Sequence, residues 1–197
     1  LAKNIPWVIM LTVTILQFTT LAMKGGAYVY YFENYVSKNS LSDFISPIID
    51  FLSSIGINFF GSDPVSAGFG LFNAGGIIFM IIGIGLSKML ADKYGKRNVF
   101  GVFLFISTLF ILVFYVLSPD SINLIFGAQI FHGFFYGITI PLLWAMIADV
   151  ADYSEWKNNR RATAIIFSAM MVGLKLGLSI GGALVASILG SLSLIHI

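Results

Sequence analysis

Apolar stretches of about 20 residues recur along this chain, and few other features leave so few folds open. A hydrocarbon layer roughly 30 Å thick is crossed by about 20 helical residues at 1.5 Å each. Within lipid every backbone N–H and C=O must be satisfied inside the segment, so each such run has to be a helix. Five runs fit, at residues 5–36, 64–91, 99–117, 121–148 and 162–189. The expected architecture is all-α, a polytopic membrane protein with five transmembrane helices. The composition agrees: 58% of the 197 residues are hydrophobic and the mean hydropathy is +0.93, more apolar surface than a water-soluble domain of this size can hide.

The bases set the orientation. Counting spans puts Lys3, Lys88, Lys93, Lys96, Arg97, Lys157, Arg160 and Arg161 on one side and Lys38 alone on the other. Eight against one identifies the basic side as cytoplasmic. A net charge of +2 without a basic run offers nothing to nucleic acid, and the absence of cysteine excludes thiolate metal sites. Between the first two spans, residues 37–63 carry Leu41, Phe44, Ile45, Ile48 and Leu52 at helical spacing. That fits either a short amphipathic helix on the outer interface or a packed loop. The first and last spans abut the chain's ends, which suggests a fragment that has lost partners on both sides. The terminal LSLIHI resembles translated sequencing-adapter sequence, so His196 is given no role.

Polar side chains inside a membrane are costly, so their placement is informative. On the first span Thr14, Gln17, Thr20, Lys24, Tyr28 and Tyr31 step by three or four and share a face. The fourth repeats this with Gln129, His132, Tyr136 and Thr139, and the fifth carries Ser168, Lys175 and Ser179. The third span has no such stripe and reads as lipid-facing. Converging wet faces describe a cavity; interhelical hydrogen bonds in a dry bundle are the alternative. Lys24 and Lys175, both placed near mid-span with no mid-membrane acid to pair with, favour the cavity. On the fifth span Gly173, Gly177 and Gly181 form a close-packing face, with Lys175 about 200° from Gly173. Pro141, with Gly137, is expected to bend the fourth span.

Residues 148–161, "ADVADYSEWKNNRR", hold the densest charge and read as a cytoplasmic loop. Asp149 and Asp152 share a helix face at its start, and Arg160 and Arg161 close it, so a charge-assisted clasp can form at the cavity mouth. The same acids could instead hold Mg²⁺ for transfer of a phosphate-bearing group. That reading lacks further nearby carboxylates, and no motif of a hydrolase or P-loop enzyme occurs.

"PLLWAMIADVADYSEWKNNRRATAIIFSAMMVGLKLG" resembles the loop between the tenth and eleventh helices of the glycoside–pentoside–hexuronide:cation symporters, the melibiose-carrier family. "LAMKGGAYVYYFENYV" is similar to that family's seventh helix, and "ADKYGKR" to the basic loop after the eighth, shared with the wider major facilitator superfamily. The resemblance implies helices seven to eleven of twelve, in a carrier of the bacterial inner membrane that moves a sugar or glycoside with Na⁺ or H⁺ by alternating access. It implies no cofactor beyond the coupling cation and no enzyme activity. Its partners would be substrate, cation, lipid and an N-terminal half. By position Lys175 matches a lysine near the family's sugar and cation sites, and Asp149, Asp152 and Arg161 match a cytoplasmic polar cluster. Ile140 stands where melibiose carriers have tryptophan, and the nearest indole is Trp144, one turn on. Cavity-lining roles would then fall to Lys175, Lys24, Gln17, Tyr28, Gln129, His132, Tyr136, Thr139 and Trp144. Related carriers that move lysolipids or other organic solutes give the second reading of the substrate.

Overall fold

The computed structural model describes residues 4–57, 63–158 and 163–192. Six helices follow in order: α1 (Ile5–Asn34), α2 (Lys38–Ser54), α3 (Pro64–Tyr94), α4 (Lys96–Val113), α5 (Ile122–Asn158) and α6 (Thr163–Ser191). Five of them, all but α2, are long and apolar enough to cross a membrane. The chain is a multi-pass membrane protein.

Local chemistry explains several boundaries. Pro64 opens α3 with its ring-fixed φ, and the Asp63 carboxylate caps the helix by accepting from the Ser66 N–H at 2.9 Å and its hydroxyl at 2.6 Å. Those hydrogen bonds hold the Asp63 carboxyl below the usual carboxylate range. At the other end Gly95 adopts φ +84°, a left-handed conformation that costs glycine little, and this one residue separates α3 from α4. The α4 helix therefore starts at Lys96, three residues before the sequence reading had it.

The stretch 148–161 is largely not a loop. Helix α5 continues through Asp149, Asp152 and Glu155 to Asn158 without a break. No glycine or proline interrupts it there, and buried Val150, Ala151 and Ser154 keep an inward face while the acids stay exposed. Arg160 and Arg161 lie outside the described residues.

The chain divides into two compact units. One holds the residues up to Val29 with those from Leu143 onward; the other is Tyr30–Leu142. In the first unit α1 and α6 run parallel, because successive α6 glycines meet successively later α1 residues. Gly173 faces Leu11, Gly177 faces Ile15, Phe18 and Thr19, and Gly181 faces Thr19 and Ala22; beyond them Gly26 of α1 faces Val185. The small-residue face read from the sequence is this seam. Lipid tails are as apolar as leucine, so contact area gained by close approach is what holds such helices together.

In the second unit α3 and α5 form another parallel seam, tighter still. A methyl group on Gly133 would collide with the Gly76 carbonyl, on Gly137 with the Met80 carbonyl, and on Gly83 with the Phe134 carbonyl. Gly137, expected to help Pro141 bend the helix, serves this contact. The α4–α5 contact is aromatic, with Phe110 stacked on Phe131 at 5.4 Å and Phe103 on Phe135 at 5.8 Å. Helix α4 does turn Val102, Phe105, Leu109 and Leu112 outward, yet its other side is committed to this packing.

Residues 38–54 form the amphipathic helix rather than a loop. Its apolar residues Leu41 and Ile45 are buried, with Leu41 seated on Gly68 of α3, and Phe44 packs on Phe126 at 4.9 Å. Three polar contacts tie this end of the unit. The Tyr35 hydroxyl donates to the Leu117 carbonyl at 2.7 Å, Ser37 N–H to Pro119 at 3.1 Å, and Ser40 Oγ to Asp120 Oδ1 at 2.8 Å. Hydroxyls of Ser37 and Ser40 hold the Asp120 carboxyl below the usual range.

Candidate functional site

The α1 and α6 stripes within the first unit are set by the glycine seam. Lys175 lies two residues from both Gly173 and Gly177, and Lys24 two residues from both Ala22 and Gly26. Two residues are about 200° of helix. Each lysine therefore sits on the side of its helix opposite the seam. Lys175 is exposed, as are Ser168 and Ser179 on the same face, and among the described residues no carboxylate bonds to it. Lys24 is half-buried, its ammonium 5.5 Å from the centre of the Tyr28 ring one turn on, a cation–π contact.

The two lysines are not level, as a shared mid-span placement would require. With Gly177 beside residues 15–19, Lys175 stands at the height of about residue 15 of α1. Lys24 is then displaced by about nine residues, or about 14 Å along the helix axis, toward the C-terminal end of α1. Sequence position within each span could not reveal this offset, because only the seam contacts set the register between the helices.

Not every stripe member is available to a ligand. Thr14 is buried, donates to the Met10 carbonyl at 2.8 Å and lies 3.9 Å from the Met170 sulfur. Thr20 likewise donates back to Leu16 at 2.9 Å. Gln17, 8% exposed, differs: its Oε1 has no donor among the described residues. Trp144 is half-buried in the same unit. Near the end of α5, Asp149 and Asp152 are both exposed and share a helix face. Lys157 lies 5.6 Å over the Tyr153 ring with its ammonium 3.4 Å from the Tyr153 hydroxyl.

In the second unit the α5 stripe is mostly enclosed. His132 is 3% exposed; its Nδ1 lies 2.9 Å from the Ser107 carbonyl of α4 and its ring stacks on Tyr136 at 5.7 Å. A neutral imidazole making that bond carries its proton on Nδ1. His132, placed by sequence on a wet face, is thus an interhelical hydrogen-bonding residue, and α4, which showed no polar stripe, supplies its acceptor. Thr139 is buried and donates to the Tyr136 carbonyl at 2.7 Å. Gln129, 6% exposed, has an Oε1 with no donor among the described residues. Its amide lies against Gly76 of α3, where an added methyl would sit 2.7 Å from Nε2. That notch was not singled out from sequence. The G-x-x-x-G spacing of Gly133 and Gly137 was the available signal for the α3–α5 contact that forms it. Among the described residues no group of three or more His, Cys, Asp or Glu could hold a metal ion.

Long apolar helices packed through glycine, with lysines and amides on the remaining faces, define a polytopic helical membrane protein. Residues 1–194 match the model of the family described as MFS/sugar transport protein, and the chain belongs to that family. It is 36% identical over 103 residues to the putative glycoside/cation symporter YagG of Escherichia coli K12, a stretch covering 52% of this chain and 22% of that one. Along 97% of its length it is 23% identical to the isoprimeverose transporter of Lactiplantibacillus pentosus, covering 34% of that protein. It is also 28% identical, over 61% of the chain and 27% of the relative, to the glucuronide carrier protein homolog of Escherichia coli K12. The chain spans only about a fifth to a third of the length of these relatives. No solved structure matches it.

Proposed function

We propose that this chain is part of a secondary transporter that moves a sugar or glycoside through a bacterial inner membrane, coupled to Na⁺ or H⁺. The relatives' names support that substrate class, and a further relative, from Escherichia coli K12, is named an inner membrane symporter. In this reading the helices are the seventh to eleventh of twelve, and the basic ends face the cytoplasm. Substrate binds near the midplane, and the two six-helix halves rock around it. Lys175 hydrogen-bonds substrate hydroxyls or answers the charge of the cation site. Asp149 and Asp152 join Arg160 and Arg161 in a contact that breaks and reforms with each cycle. The observation that carries the reading is the opposition of each lysine to the glycine seam. A charge turned away from dry packing within a span needs water, substrate or a countercharge beside it, since insertion at mid-span costs about 2.5–3.5 kcal/mol.

The test is uptake by the full-length carrier in proteoliposomes, with labelled glycoside outside and a Na⁺ or proton gradient imposed. The wild-type carrier should accumulate sugar above equilibrium. Lys175→Ala should cut the rate by about tenfold or more, in keeping with a lost charge-assisted hydrogen bond. Asp149→Ala should slow turnover while leaving equilibrium binding intact. Unchanged rates in both variants would remove the assigned roles, and uptake of lysolipid in place of glycoside would replace the substrate.

A further inference from the structure

We infer that Gln129 is a specificity-determining residue whose side-chain amide reads a hydroxyl group of the substrate. The inference rests on the transport reading above and adds to it which member of the α5 stripe does the reading.

The members of that stripe differ in what they have left to offer. The Nδ1 of His132 is committed to the Ser107 carbonyl and its ring is stacked on Tyr136; Thr139 is committed to the Tyr136 carbonyl. These contacts join or stiffen helices, and a dry bundle explains them fully. Gln129 has no such explanation. Its Oε1 is buried without a donor among the described residues, in a span where bulk water cannot supply one. A buried acceptor left without a donor is costly, and a leucine or methionine would fill the volume without that cost.

The amide is also held in place. Its Cγ, Cδ and Nε2 occupy the notch left by the missing side chain of Gly76, at 3.1, 3.1 and 2.7 Å from where a Cβ would stand. Gly76 itself abuts Gly133 in the α3–α5 seam, so the notch is backed by rigid backbone. A polar group that is preorganised, buried and without a donor suits a ligand that brings its own. A sugar hydroxyl does so, since it donates and accepts at once and complements either end of an amide. A site that hydrogen-bonds a hydroxyl discriminates strongly against the analogue lacking it, which is how one glutamine can govern choice among similar sugars.

The experiment is equilibrium competition binding to the full-length carrier, using isoprimeverose, a methyl glucuronide and the monodeoxy analogues of whichever binds. Wild type should lose about tenfold or more in affinity for one deoxy analogue. Gln129→Leu should bind the parent sugar as weakly as wild type binds that analogue, and should no longer distinguish the two. Gly76→Ala, which leaves the amide present but pushes it from its notch, should show a partial loss of the same discrimination, so the result does not depend on the leucine variant folding. If wild type binds sugar but both variants keep its affinities and preferences, this inference fails alone and the amide holds a structural water only. If wild type binds none of the panel, the functional reading fails and takes this inference with it.

Discussion

The α1–α6 and α3–α5 seams use the same device for different ends. Both bring parallel helices together over glycine. Between α3 and α5 the glycines press on backbone carbonyls, the flanking stripe is closed in, and His132 is tied to α4. Between α1 and α6, Gly177 and Gly181 likewise press on the Ile15 and Thr19 carbonyls while Gly173 and Gly26 meet side chains, and the faces beyond the seam carry lysines, one of them exposed. A glycine seam thus fixes two things at once: which helix is the neighbour, and which face is left over. In one unit most of the leftover face is taken up by further packing, with the Gln129 side-chain carbonyl left unpaired among the described residues; in the other it stays polar and open.

Substitution in the tighter seam is the most forceful way to break this contrast. Gly83→Leu should abolish folding of the full-length carrier, and Gly83→Ala should cost about 1–3 kcal/mol, because an α3–α5 backbone contact must open. Gly182→Ala, at a position with nothing within 4 Å of an added Cβ, should leave stability within about 0.5 kcal/mol. Thermal unfolding in detergent compares the three, and equal effects at 83 and 182 would refute the seam. Loss of the His132 link should matter less. His132→Ala removes the bond to Ser107 and the stack on Tyr136, for about 1–2 kcal/mol, while a leucine at Lys175 should not destabilise. The smallest effect concerns Asp120. Its carboxyl is held below its ordinary value, so its contribution is complete above the unfolded pKa of about 3.9 and is lost as pH falls through the lower folded value. Wild type should lose slightly more stability than Asp120→Asn between neutral pH and pH 3, which acid-unfolding curves can measure.

Much of this was legible in the sequence because the bilayer imposes it. Run length gave the five spans, and four-residue spacing gave the Gly173, Gly177 and Gly181 face with Lys175 opposite. What escaped depended on contacts between elements distant in sequence. The charged run after Ala148 looked like a loop by composition, yet with no glycine or proline to stop it the helix continues to Asn158. The stripe Gln129, His132, Tyr136 and Thr139 was correctly periodic, but periodicity cannot show which members find partners. Ser107, one serine in an apolar span, gave no sign that its backbone carbonyl would receive His132. The lysine offset was hidden because it depends on the α1–α6 register.

The central claim is that the α6 face opposite the glycine seam borders a hydrated route. The most direct measurement is thiol labelling, for which the absence of cysteine in this stretch is convenient. In a full-length carrier otherwise free of cysteine, single cysteines are placed at Lys175, Gly177 and Ser179 and treated with a membrane-impermeant maleimide. Positions 175 and 179 should react, with 179 protected by bound sugar, while 177 stays inert. Labelling of 177 alone, or reaction at 175 and 179 only with a membrane-soluble reagent, would contradict it.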